Sequence, residues 1–161
     1  MKIIDTHQHF WNYNPKTQEW INENMKVIRK NFLPEDIAPL LKENKVEGCI
    51  AVQADQSIAE TNFLIQAAKN NTFIKGVVGW IDLKDKEIEQ NLEFYKKENI
   101  VKGFRHIIQA EPTGFMQDLS FQKGLTALAK YNYTYDLLIY EHQLKEANIL
   151  VKQLSSLPIV I

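Results

Sequence analysis

Six short apolar runs recur along these 161 residues, and most of the stretches between them carry helical periodicity. The runs are Ile3-Ile4, Gly48 to Val52, Ile74 to Ile81, Val101 to Ile108, Tyr133 to Tyr140 and Ile159 to Ile161. β-Branched and aromatic residues dominate most of them, as buried strands require. After the second run, Ser57-Ile58-Ala59-Glu60 has the form of a capping box, with Ser57 as N-cap and Glu60 at N3. Phe63, Leu64, Ala67 and Ala68 then share one helical face. Asp85 to Asn99 repeats the logic with Ile88, Leu92 and Tyr95. Phe121, Leu125 and Leu128 mark a further helix, in which Gly124 costs up to about 1 kcal/mol. Leu144, Ala147, Val151 and Leu154 mark the next, which Pro158 helps to stop. Pro34 suits the first position of the earliest helix. Pro39 falls inside it and should bend it or begin a second, shorter one. Alternation with a period of roughly 30 residues predicts right-handed βαβ units and a parallel sheet.

Strands are expected near residues 2–7, 47–53, 74–81, 101–108 and 133–140. The expected core includes Ile3, Ile50, Val52, Val77, Phe104, Leu138 and Ile159. Residues 10–33 carry no clear strand or helix signal, and a loop of that length is more often functional than filler. Trp11 and Trp20 lie in it and could cover a ligand, with packing the simpler role for Trp20. The closing Leu157-Pro158-Ile159-Val160-Ile161 reads as a strand cut partway, because a parallel strand ending in an apolar tail leaves backbone unpaired.

Nineteen basic residues are scattered among twenty acidic ones, for a formal net charge of −1, so nucleic-acid binding has no electrostatic footprint. Asp5, His7 and His9 interrupt any N-terminal apolar segment of the secretory kind. No apolar run approaches the roughly 18 residues of a membrane span. The single cysteine, Cys49, sits in an apolar run and is expected as a buried hydrophobe, without a disulfide framework. A reducing cytoplasm fits this pattern. The partner expected is a small molecule, with no nucleic acid and no membrane.

The sharpest chemical signal is Ile4-Asp5-Thr6-His7-Gln8-His9-Phe10-Trp11. Residues two apart on a strand point to the same side, so His7 and His9 aim together. Two imidazoles on one face can bind a divalent cation such as zinc; the plainer reading is two histidines hydrogen-bonded to neighbours. Arg105 ends an apolar strand, where its fork suits a carboxylate or sugar oxygens, or a salt bridge to a loop acid. His106 is a candidate ligand, acid or structural donor, and strand alternation admits only one of Arg105 and His106 to a pocket. Gln53 and Trp80 sit at strand ends, where the indole could stack on a sugar ring or pack. Glu141 and His142 follow the fifth run and read as the first turn of the next helix.

Asp5-Thr6-His7-Gln8-His9-Phe10-Trp11 resembles the opening of the amidohydrolase superfamily, and more narrowly its sugar-lactonase-like branch of L-fuconolactonases and L-rhamnonolactonases. Val52-Gln53-Ala54, Val78 to Leu83, Gly103-Phe104-Arg105-His106 and Asp136 to Tyr140 resemble the second to fifth strands of that family, in order. The resemblance implies a (β/α)8 TIM-barrel-type fold. Such a barrel usually takes about 250 residues. Residues 1–161 are therefore expected to be one incomplete barrel domain of about five and a half βα units, truncated in the sixth strand.

The same resemblance implies a hydrolase that opens a sugar lactone. It makes His7 and His9 metal ligands or catalytic groups and His106 catalytic, with Gln53, Trp80 and Arg105 binding substrate. The family's later histidine is expected just after Ile161 and its aspartate, the general base, further on. Arg105-His106 stands where binuclear members carry a carboxylated lysine or a glutamate, which argues against two metals. Some members of the branch work without metal, so one divalent ion, zinc first, and a metal-free site are both implied. A metal polarises the carbonyl or acidifies a bound water; without it, His7 and His9 could donate hydrogen bonds to the oxygen. Two alternatives stand beside this. One is a superfamily decarboxylase, which also uses an early His-x-His. The other is an inactive fragment or non-catalytic binding protein, whose open sheet edges invite association, including a homo-oligomer.

Overall fold

Each of the six apolar runs contributes a strand, and each strand pairs with the next in chain order. The computed structural model describes residues 2–161. The elements are β1 (Ile4–Gln8), α1 (Pro34–Glu43), β2 (Gly48–Val52), α2 (Ile58–Asn70), β3 (Ile74–Gly79), α3 (Ile88–Tyr95), β4 (Val101–Ile107), α4 (Leu119–Lys130), β5 (Thr134–Leu138), α5 (Leu144–Gln153) and β6 (Ile159–Val160). All five pairings are parallel, in the order β1-β2-β3-β4-β5-β6. The result is a curled, partial (β/α) barrel, as expected.

Helix-facing side chains build two apolar clusters. Phe10, Cys49, Ala51, Leu64 and Val77 form one, and Phe104, Phe121, Leu125, Leu128, Tyr135 and Leu150 belong to the other. Burial pushes the Cys49 thiol up to about 11, so the lone cysteine is an inert core residue, as anticipated. Val52, Val77 and Phe104 are fully buried. Ile3 is not; it is 46% exposed, because among the described residues β1 pairs with β2 alone and its other edge is open. Ile50, Leu138 and Ile159 are half-buried.

Four local expectations need correction. Helix α1 starts at Pro34 and runs through Pro39 to Glu43, so Pro39 begins no second helix. Helix α3 is shorter than 85–99, since Asp85 accepts the Glu87 N–H at 2.9 Å and holds the chain in a turn before Ile88. Ser57 does cap α2, accepting the Glu60 N–H at 3.2 Å, but the Glu60 carboxylate accepts the Ala54 N–H rather than closing a capping box. Trp20 is 55% exposed and packs nothing into the core. The long segment after β1 is closed at its base, where Trp11 and Phe32 exchange backbone hydrogen bonds of 2.9 and 3.0 Å and their rings lie 4.6 Å apart. It contains a 3-10 turn at Glu23–Ile28 and buries Ile21 and Gln18.

Gly124 has a reason that helix propensity hides. A Cβ there would lie 2.0 Å from the carbonyl oxygen of Leu83, so the glycine lets α4 pass against the chain after β3. Alanine would gain up to about 1 kcal/mol of helix propensity, but overpacking against backbone costs about 1–3 kcal/mol. Gly124→Ala is therefore expected to lower the urea midpoint; a raised midpoint would show that the loop gives way.

Candidate active site

The strand ends bring four polar side chains into one hydrogen-bonded cluster. A register shift between Asp5 and Gln8 bends β1 as it reaches its C-terminal end, where His7 and His9 project. His9 Nδ1 donates to the carbonyl oxygen of Val52 at 2.8 Å, since a carbonyl can only accept. That bond sets the neutral tautomer and leaves a lone pair on Nε2. His7 Nε2 lies 3.2 Å from His9 Nε2, with the two rings at 82°. Arg105 Nη1 donates to His7 Nε2 at 3.2 Å, so that nitrogen too presents a lone pair.

Arg105 is held from behind. Its Nε and Nη2 donate to Gln53 Oε1 at 3.1 and 2.7 Å, and Nη2 also donates to the Gln53 carbonyl. Both side chains are buried, Gln53 completely. A buried guanidinium is tolerable only when its donors are met. Gln53 meets three of them, which fixes the plane of the fork and aims Nη1 at the imidazoles.

Burial is the leading cause of the titration shifts here. It drives His9 down to about 4, against the raising effect of its bond to Val52, with the Arg105 charge adding to the lowering. His7 is lowered too, by burial and then by Arg105, while Asp5 opposes. Asp136, the β5 register partner of Arg105, is raised by burial and pulled back by the guanidinium. Glu60 is raised by burial and eased by the backbone N–H groups it accepts. Neither carboxylate is a site candidate in the sequence, where Glu60 is read only as a helix-capping residue. The signal for Asp136 is a charge inside an otherwise apolar run, where alternation along the strand leaves it a face of its own.

His106 and Trp80 do not join the cluster. His106 faces the helices, stacked on Phe115 with ring centroids 5.0 Å apart and 13° between planes. Its Nδ1 accepts from Trp80 Nε1 at 3.3 Å and its Nε2 donates to Glu111 Oε1 at 2.8 Å. Trp80 is tied to α2 as well: its N–H donates to Thr61 Oγ1 at 2.8 Å, and that hydroxyl donates back to the Trp80 carbonyl at 2.7 Å. Alternation on β4 thus admits Arg105 and turns His106 away. His142 is exposed and stacks on Tyr140 in the turn before α5, consistent with the helix-start reading.

The donor set fits two corners of a metal site. Two ligands at a zinc–nitrogen distance of 2.0–2.1 Å and a tetrahedral angle lie about 3.4 Å apart, close to the 3.2 Å between the Nε2 atoms. Two lone pairs at that distance repel unless a cation or proton lies between them. The bond from His9 Nδ1 to the Val52 carbonyl is the kind that orients ligating histidines. Among the described residues, no group of three or more His, Cys, Asp or Glu is arranged to hold a metal, so these two histidines are a partial set. No helix among them is long and apolar enough to cross a membrane.

The amidohydrolase family model matches residues 4–161. An L-fucono-1,5-lactonase of Burkholderia multivorans is 35% identical over 145 residues, covering 89% of this chain and 49% of that protein. An L-fucono-1,5-lactonase of Burkholderia ambifaria is 26% identical over 159 residues, covering 98% of this chain and 55% of that protein. The crystal structure of a Burkholderia multivorans amidohydrolase with bound zinc superposes with a TM-score of 0.94 at 32% identity, covering 99% of this chain and 56% of that one. The chain spans about half the length of the curated relatives it matches.

The lowered histidines make stability depend on pH. An unfolded imidazole takes up its proton near pH 6.5, whereas folded His9 resists until about 4. Between those values the unfolded chain binds more protons, so stability is full above 6.5 and declines as pH falls toward 4. The urea midpoint is expected to drop across that range, and less steeply in His9→Gln. Equal pH slopes for the two chains would remove His9 from this linkage.

Proposed function

Because the chain belongs to the amidohydrolase family, we propose that it carries the His7, His9, Arg105 and Gln53 portion of a hydrolase that opens a sugar lactone or a similar cyclic ester. The observation that supports this most directly is the convergence of the His7 and His9 Nε2 atoms, 3.2 Å apart, beside a buried guanidinium at the strand ends. Strand ends are where barrel enzymes keep their chemistry. The lactonase names of two relatives and the zinc in a related crystal structure point the same way. Residues 1–161 are proposed to act as one partial-barrel domain.

His7 and His9 would hold one divalent metal through Nε2, with zinc the first choice. Such an ion supplies Lewis acidity, polarising the lactone carbonyl or lowering the pKa of a water. The donor role in a metal-free site fits less well. Neutral His9 has its proton on Nδ1, given to Val52, so its Nε2 donates nothing until the ring is protonated. Burial opposes that protonation down to about pH 4. Arg105 contributes a fixed positive charge and a fork suited to the lactone oxygen or to a carboxylate product. Gln53 keeps that fork in register. His106 and Trp80 act from behind the sheet as positioning residues, tying β3, β4 and the segment at Glu111 together.

The reading is tested by replacing the matched segment of the Burkholderia multivorans lactonase with residues 4–161. Acid release from a panel of sugar lactones is then followed with a pH indicator. The chimera is expected to open a lactone, and His7→Ala to cut the rate by about 10² or more. The 161-residue chain alone is expected to fall about 10²–10⁴ below the lactonase, the factor general acid–base help contributes. A folded chimera that opens no lactone, or that releases carbon dioxide from an aromatic acid instead, sinks the proposal.

A further inference from the structure

One nitrogen lone pair in this site has two claimants. The Nε2 of His7 accepts a hydrogen bond from Arg105 Nη1 at 3.2 Å. The same Nε2 faces His9 Nε2 at 3.2 Å and is half of the donor pair on which the metal reading rests. An imidazole nitrogen in the ring plane has a single lone pair, so it serves the guanidinium or a metal, and not both. The guanidinium is poorly placed to yield. Its Nε and Nη2 are bound to buried Gln53, which leaves Nη1 aimed at the imidazoles.

Charge adds to the competition. No carboxylate forms an ion pair with Arg105 among the described residues. Asp136 and Glu60 attract it from beyond ion-pair distance, so no carboxylate is in direct contact with the guanidinium where it meets the histidines. A second cation brought to His7 meets that charge in a partly desolvated space, where repulsion is stronger than in water.

We infer that Arg105 is the resident cation of the His7–His9 pair, and that a metal enters only by displacing its Nη1 from His7. Arg105 thereby sets the affinity of the site and limits it to one metal. Its displacement also converts Nη1 from a donor spent on His7 into a donor available to an oxygen of the substrate. Metal entry and readiness of Arg105 for substrate are then the same event. This inference rests on the proposed metal-binding role of His7 and His9.

The test is zinc binding to the 161-residue chain, measured by competition with a chromophoric chelator, beside Arg105→Met and His7→Ala. Arg105→Met retains the apolar stem and removes the competing charge. It is expected to bind zinc about tenfold more tightly or better, the factor carried by one hydrogen bond to a charged group. His7→Ala is expected to lose the site. Because Arg105→Met leaves Gln53 without its donors and risks the fold, a second measurement uses the unaltered chain. Nitrogen-15 spectra are followed during zinc addition, and the Arg105 side-chain signals are expected to shift in step with the His7 ring. Zinc that binds with equal affinity to both chains, or moves the histidine rings while leaving Arg105 unmoved, overturns the inference and leaves the metal-binding reading intact. Zinc that reaches neither ring in any chain overturns both.

Discussion

A buried guanidinium has to be paid for in hydrogen bonds, and the way Arg105 meets that demand organises the candidate site. Gln53 at the end of β2 takes three of its contacts, so β2 and β4 are tied together across the intervening β3. The fourth contact reaches His7 on β1. One side chain therefore relates three strands at their C-terminal ends. Removing either partner would leave a desolvated charge or a desolvated amide, which costs far more than the bonds themselves contribute. Gln53 shows how one-sided the arrangement is: its side-chain oxygen accepts two bonds from Arg105, while its buried Nε2 has no partner among the described residues.

Behind the sheet, a second set of polar contacts keeps the site's face in place without entering it. Thr61 on α2 clasps the backbone of Trp80, Trp80 reaches His106 on β4, and His106 reaches Glu111 in the segment that follows. Phe115 and Phe121 enclose the imidazole of His106. Arg105 and His106 are adjacent in sequence yet serve opposite faces, one the concave side and one the helix layer. The strand pleat makes that division, and both networks lean on the same backbone.

The fold was largely legible because its signals are periodic. Strand and helix impose different spacings on apolar residues, and the alternation of the two left only a parallel sheet to build. His7 and His9 were legible for the same reason, since a spacing of two on a strand is a statement about direction. What escaped were choices that depend on partners. Strand alternation required one of Arg105 and His106 to face inward, but only the pairing of β4 with β5 and the rings of Phe115 and Phe121 decide which. The carboxylate of Glu60 had a local use available in the cap of α2 and took the Ala54 N–H instead. Trp80 sits at a strand end, as required of a stacking residue, and its indole is claimed by His106. Ile3 and Trp20 fail as core residues because burial is a property of neighbours, and neither has enough of them.

The order of the sheet has a consequence for how the chain assembles. Since β1 to β6 lie side by side in the sequence in which they are made, each of these strands can pair with the one before it as soon as both exist. Each new pairing closes only the connection to the strand before it, so the entropy of closure is met in steps rather than in one long-range event. Topologies with such short separations between partners fold faster than those that join remote segments. A ribosome releasing this chain would present each βα unit to an edge already formed, and the growing sheet could add it as a template adds the next layer.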